Sequence, residues 1–394
     1  MEQSPLGGGS LYATPIVQDC RAWCRVSADA DIAVVGAGIV GLSTAYALTE
    51  AGAAVTVYER GVPGNGQSGG ESRIFRHAHD DRRLVDFACE ARRGWREWEE
   101  RFGRELLSRD GVVSLGATGL RQLDAMRGAG VRAGQIDLAE LAERLPLLAE
   151  PDARAALDED GGAIRARASI EALTGALRDR LVFDEVLSVQ PAPSGTVELR
   201  AGGVTAEHDR VVVCAGRGTA ALARGAGLPL PLRQAAHVRL TYALRGDAPE
   251  RLACLLDSSG AFAEDGYGDP LPGNAAYAVG VEDTPIHDDG SVIDAGGLAA
   301  IAARTTAYVE RALPGLDPRP IDVRHCWVTE LPWSPDGFAV WVLGGLLVLG
   351  GNHLFKHAPA LGRALARAAL GDCLEPSLHP EARLGAELFE TSRP

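Results

Sequence analysis

The chain reads as an α/β protein: a Rossmann-like domain on a parallel sheet, with an inserted α+β domain built on a mixed or antiparallel sheet. Three observations predict this. An apolar run at 32–35 leads straight into the glycine turn Gly36-Ala37-Gly38-Ile39-Val40-Gly41 and a helical stretch, and a second apolar run at 54–58 ends in Glu59-Arg60. Short apolar strands of the same character return at 210–214 and 338–349. Between them, residues 235–320 change texture, with shorter strands, a Gly/Asp/Pro-rich loop at 257–274 and one helix over 296–313. A chain of 394 residues is long enough for two cores. The expected division is an N-terminal extension at 1–29, a nucleotide-binding domain from 30–80, 155–232 and 322–394, and a substrate domain from 81–154 and 233–321.

Each element has a local reason. In the turn, Gly36 permits the tight bend, Gly38 lets the backbone approach a pyrophosphate, and Gly41 lets helix and strand pack closely. Ile39 and Val40 open the helix whose unpaired N–H groups would hold the phosphates. Glu59, at the end of the second strand, is placed to accept from a ribose, with Arg60 beside it. Residues 61–72 are Gly/Ser/Asn/Gln-rich and predict a loop that includes Gly70 and Ser72. Leu84, Phe87, Ala91, Trp95, Trp98 and Phe102 recur at helical spacing, so the tryptophans are read as core. A turn at Asp110-Gly111, a strand at 112–115, a helix over 170–181 and strands at 185–189 and 210–214 follow, the last ending in Ala215-Gly216. Gly344-Gly345 predicts a hairpin between strands 338–343 and 346–349. The final helix is predicted to start near Pro359, because proline is accepted in a first turn.

Composition excludes several classes. A net charge of -14 argues against a nucleic-acid partner. Seven cysteines at scattered positions read as thiols in a reducing compartment, and Cys20 and Cys24 lack a second pair at zinc spacing, so no metal is expected. No signal peptide and no membrane span are recognised, which makes a cytoplasmic protein the expectation. Of the 39 basic residues only Lys356 is lysine. It follows Gly351, Asn352, His353, Leu354 and Phe355 at a helix entrance. One reading is a point charge aimed at a ligand; the other is an arginine-biased composition that left one surface lysine.

These motifs, taken together and in this order, resemble the D-amino acid oxidase superfamily of flavoproteins, in the branch of monomeric sarcosine oxidase and N-methyltryptophan oxidase. The segments that carry the resemblance are the glycine turn with Glu59-Arg60; Ser72-Arg73-Ile74-Phe75-Arg76-His77 with the Trp95 helix and the strand at Val112-Val113; Val211-Val212-Val213-Cys214-Ala215-Gly216; and His353-Leu354-Phe355-Lys356 with Gly362. The resemblance implies FAD, a small amino acid substrate held by its carboxylate, hydride transfer to flavin N5 giving an imine, oxygen as acceptor with release of H2O2, and a monomer. Arg76 and Lys356 match the cations that clamp the substrate carboxylate. The competing reading pairs Arg76 with Asp80 or Asp81 and leaves Lys356 solvated. Arg73 matches a position beside the flavin, Val186 one beside the adenine, and Tyr277 a tyrosine on the substrate side. Cys326 falls where this branch attaches FAD through a thioether; as a small half-apolar side chain it also suits a core position. One departure is plain. Relatives carry a lysine over the flavin in the inserted domain, and the stretch 277–289 has none. Oxygen is then in question, or Arg73, His287 or His353 takes over that role. Alternatives are a glycine-oxidase-like biosynthetic enzyme or cyclic imino acid oxidase, a dehydrogenase with another acceptor, and a non-catalytic FAD-binding subunit.

Overall fold

The computed structural model describes residues 30–151, 153–281 and 295–386. The N-terminal extension, Cys20, Cys24 and His287 lie outside the described residues. Asp31–Val35 is a central strand of a six-stranded sheet, with Arg210–Val213 and Leu346–Gly351 on one side and Ala54–Tyr58 and Leu181–Val182 on the other. These pairings are all parallel; only the edge strand Phe338–Leu343 runs antiparallel, as the second arm of the Gly344-Gly345 hairpin. Ile32, Ala33 and Val34 are all fully buried, as a strand covered on both faces requires. Helices Ile39–Glu50 and Leu354–Ala369 cover one face, and a three-stranded meander, Val186–Pro191, Val197–Ala201 and Val204–His208, packs Val189, Val197 and Leu199 on the other.

Helix Arg82–Phe102 is the long amphipathic helix expected from its spacing. Asp81 caps its start by accepting from the Arg83 N–H, and Gly103, at φ 64, ends it in the left-handed conformation. Trp95 and Trp98 lie in the core, as their positions predicted. The final helix differs from expectation. It begins at Leu354, five residues before Pro359, which therefore sits inside it. Proline has no N–H for the carbonyl one turn back, yet Trp95 Nε1 donates to the Lys356 carbonyl at 2.9 Å and Ser43 Oγ to that of Ala358 at 2.6 Å. These bonds go to neighbours of the Phe355 carbonyl, the one that Pro359 cannot serve, and tie the turn to helices Arg82–Phe102 and Ile39–Glu50.

The second sheet has eight strands in the order Leu316–Glu330, Arg233–Leu244, Ala276–Val281, Gly266–Pro270, Cys254–Asp257, Val112–Leu115, Ala155–Asp158 and Ala133–Ile136. It is mixed, the one parallel pairing being Val112–Leu115 with Cys254–Asp257. Ala155–Asp158 and the stretch that holds Cys326 belong to this sheet by hydrogen bonding. Helix Ala295–Ala312 covers one face, packing Tyr308, Ile301 and Val309 against Tyr242, Leu240 and Val279. The opposite face looks toward the ends of the parallel strands, and the cavity lies between. No described helix is long and apolar enough to cross a membrane.

Candidate active site

The cavity has a volume of about 1740 Å³, larger than the roughly 300–1,000 Å³ of a site for one drug-sized ligand. One end is the glycine turn. Gly36 has φ 100, and a Cβ there would stand 2.6 Å from the Cys214 carbonyl; at Gly41 it would fall 1.9 Å from the Gly36 carbonyl. Gly38 starts the helix without a side chain of its own; Ser68 Oγ accepts from the Ile39 N–H at 3.0 Å, and Gly38, Ile39 and Val40 line the cavity at this N-terminus. Glu59 accepts from the Ala37 and Gly61 N–H groups, one per carboxylate oxygen, at 2.8 and 2.9 Å. Each oxygen keeps capacity for a further donor such as a ribose hydroxyl. Arg60, Val186, Ala215 and Gly216 line the same region, Arg60 with Glu185 as an exposed partner at 3.2 Å. The donors, the backbone approach and the elongated space fit a dinucleotide such as FAD.

The middle of the cavity is a wall of arginine. Arg73 is turned back on its own loop, donating to the carbonyls of Ser72, Gln67 and Gly69, and it lies 5.8 Å from the Phe355 ring centre. Gly70 and Ser72 do not line the cavity themselves. A Cβ on Gly70 would stand 2.8 Å from the Arg73 guanidinium, and Ser72 supplies a carbonyl, so both place Arg73. The Ser72 carbonyl also accepts from Arg239, which pairs with Asp269 at 2.5 Å. Burial and the neighbouring Arg239 charge lower the Arg73 pKa. Cys326 stands across from His237 in the strand register and faces the cavity.

Strand parity corrects one expectation. Tyr277 is fully buried on the helix-covered face, opposite Tyr242, with its hydroxyl donating to the Ala253 carbonyl at 2.9 Å. It does not reach the cavity. The tyrosine of this sheet that does is Tyr267, one strand over and paired with Gly280, whose missing side chain leaves room for its ring. Successive strand residues alternate faces, and Tyr277 is on the wrong parity.

The other end of the cavity holds the cations from opposite ends of the chain. Arg76 and Lys356 converge, but on an internal carboxylate, that of Asp336. Arg76 Nη2 donates to Asp336 Oδ2 at 2.7 Å, and Lys356 Nζ lies 3.5 Å from Oδ1. His79 Nδ1 reaches Oδ2 at 2.7 Å, and His353 Nδ1 bonds Oδ1. The pairing of Arg76 with Asp80 or Asp81 is not found: Asp80 accepts from Gln122, and Asp81 is taken by Arg83 and the Gly385 N–H. Nor is Lys356 a solvated surface lysine, being 4% exposed. Burial, partly countered by Asp336 and reinforced by Arg76, brings its ammonium down to about 7. Burial and the Arg76 charge take His79 down to about 3, so that it is neutral and donates as a tautomer. Burial alone would raise Asp336, but the surrounding cations hold it well below the ordinary carboxylate range. His353 caps the final helix in the left-handed conformation at φ 54, its N–H bonded to Asn352 Oδ1 at 2.7 Å. Gly351, Leu354 and Phe355 complete this wall. Asp336, His79, Arg239 and Tyr267 were not singled out from the sequence. The only local signal for Asp336 is the turn Pro335-Asp336-Gly337. Among the described residues no cluster of His, Cys, Asp and Glu could hold a metal ion.

The family model of FAD dependent oxidoreductases, abbreviated DAO, matches residues 31–368. The chain belongs to this family. FAD is accordingly its cofactor. Monomeric sarcosine oxidase of Arthrobacter sp. (strain TE1826) is 31% identical over 123 residues, 30% of this chain and 32% of that protein. N-methyl-L-tryptophan oxidase of Yersinia pestis (strain Pestoides F) is 27% identical over 203 residues, 48% of this chain and 54% of its own. The aligned parts thus span about a third and about half of these curated relatives' lengths. In structure the chain is similar to NikD, an unusual amino acid oxidase essential for nikkomycin biosynthesis, with TM-score 0.76 and 23% identity over 90% of this chain and 97% of that one. At that identity the likeness shows the fold.

Proposed function

We propose that this member of the family is an oxidase of a secondary or N-substituted amino acid: a sarcosine-like N-alkylglycine or a cyclic imino acid. The observation that carries the reading is the convergence of Arg76 and the sole lysine, Lys356, at the end of the cavity opposite the glycine turn. A guanidinium fork and an ammonium suit the two oxygens of one carboxylate and fix the α-carbon for reaction. FAD, when bound, would take up the two electrons of the C–H bond beside the nitrogen, leaving the substrate as an imine. Arg73 and Arg239 supply positive charge along the wall between the two ends, where negative charge would otherwise be unfavourable. Asp336 is too strongly held as an anion to serve well as a proton acceptor, and oxidation of an amine bound neutral needs no such base. Oxygen is the proposed acceptor, and peroxide release with N-methylglycine, proline or pipecolate tests it. Bleaching of the yellow colour by these amines without peroxide would mark a dehydrogenase, a reading favoured by the absence of any lysine but Lys356. No bleaching by any amine would mark a binding subunit.

The proposal includes attachment of FAD through Cys326, on the cavity face of its strand. Acid precipitation should then carry the yellow colour down with the protein, and Cys326→Ala should leave it in the supernatant. A colourless wild-type pellet rules the linkage out.

Substrate binding should also depend on pH in one direction. Lys356 loses its proton as pH rises through about 7, so a carboxylate probe such as acetate should bind most tightly below that pH and weaken above it. Lys356→Arg should flatten the profile, because a guanidinium stays charged throughout. A wild-type profile that strengthens with pH would contradict the assignment.

A further inference from the structure

We infer that Asp336 makes this site selective for substrates with a single carboxylate, an inference that rests on the reading of Arg76 and Lys356 as the clamp. Each Asp336 oxygen already receives two donors: Arg76 and His79 on Oδ2, Lys356 and His353 on Oδ1. A carboxylate has about four acceptor sites, so Asp336 is saturated, and it is a fixed part of the wall. Its turn is itself tied down, with the Asp336 N–H on Ser334 Oγ at 3.1 Å and Leu331 bridged to Ser334. With Lys356 protonated, as below about pH 7, where the test is run, the two cations and Asp336 together present one net positive charge. A monocarboxylate brings that to zero. A second carboxylate on the same substrate would make a mostly buried cluster net negative, Arg76 being 17%, Asp336 21% and Lys356 4% exposed. Asp80 also lines the cavity, four residues beyond Arg76, and adds to the repulsion, while Arg73 and Arg239 are already bonded to carbonyls and to Asp269. Charged groups in such a setting are tolerated only when paired.

The test uses the FAD-loaded protein and two probes that carry no amine and so cannot be oxidised. These are methoxyacetate and oxydiacetate, the ether analogues of N-methylglycine and iminodiacetate, followed through the perturbation of flavin absorbance. The wild type should bind methoxyacetate at least about tenfold more tightly than oxydiacetate, since the second charge goes unpaired. Asp336→Asn should tighten oxydiacetate until the two are within about threefold, by removing the resident negative charge. Asp336→Glu should keep the wild-type preference. Equal affinities in the wild type, or a ratio that Asp336→Asn does not move, overturn the inference. If Asp336→Asn does not fold, the wild-type ratio and Asp336→Glu still decide. The clamp has a separate readout: Arg76→Gln and Lys356→Met should each lose methoxyacetate. If both bind it as the wild type does, the clamp itself is wrong; if they lose it while the Asp336 ratio stays fixed, only the selectivity claim fails.

Discussion

Gly41→Ala should yield protein that purifies without yellow colour. The new Cβ would stand 1.9 Å from the Gly36 carbonyl oxygen, and the atom it meets is backbone, so no side chain can swing aside. Either the helix start moves or the turn opens, and both displace the N–H groups that face the phosphates. Overpacking of this kind costs about 1–3 kcal/mol, which would lower FAD affinity on the order of tenfold to a hundredfold. The ratio of flavin to protein absorbance after dialysis measures it, in a Cys326→Ala background where no thioether retains the flavin. Stoichiometric FAD in the variant would show that this turn is not the cradle. Gly66→Ala is the control, because it lines the same cavity with nothing within 4 Å of its Cβ position.

Arg76→Gln is expected to lower kcat/KM for the preferred amino acid by roughly a thousandfold, since truncating one member of a hydrogen-bonded charge set costs about 2–5 kcal/mol. FAD content should be unchanged, because Arg76 touches only Ala78, His79 and Asp336 and none of the turn residues. The loss has two parts. On the proposed reading the substrate carboxylate loses the Arg76 charge, and Asp336, left with fewer cations, becomes a stronger local repellent. Arg76→Lys should recover only a fraction, since an ammonium cannot make the paired donation. Steady-state kinetics with flavin content measured alongside would check both. A variant that keeps wild-type KM would remove Arg76 from substrate binding.

Where the sequence was legible, the reason is local. The strand, glycine turn, helix and acid from Asp31 to Glu59 encode their own geometry, because close packing at Gly36 and Gly41 is possible for no other residue. The helix carrying Trp95 and the Gly344-Gly345 hairpin were readable on the same grounds of periodicity and turn chemistry. The start of the last helix was not, since Pro359 resembles a first-turn proline, and only Trp95, Ser43 and the packing of three elements show that the helix begins at Leu354. Tyr277 failed for a related reason. All six residues of Ala276–Val281 are buried, so no alternation of polar and apolar marks which face each one takes. Register with Gly266–Pro270 decides that Tyr267, and not Tyr277, meets the cavity.

The amino-acid sequence thus determined the glycine turn and Glu59, a feature of nearly contiguous backbone whose residues lie within about thirty positions of one another; Val186, Ala215 and Gly216 join them only in the fold. It also supplied Arg76 and Lys356 as candidates, through resemblance and through the oddity of a single lysine. Tertiary structure alone decided what surrounds them. Asp336 is 260 residues from Arg76 and 20 from Lys356 in the chain, and its place between them follows from the turn before the edge strand Phe338–Leu343 meeting the segment that leaves strand Ser72–Phe75. No local propensity encodes that meeting, and the net charge of the clamp depends on it.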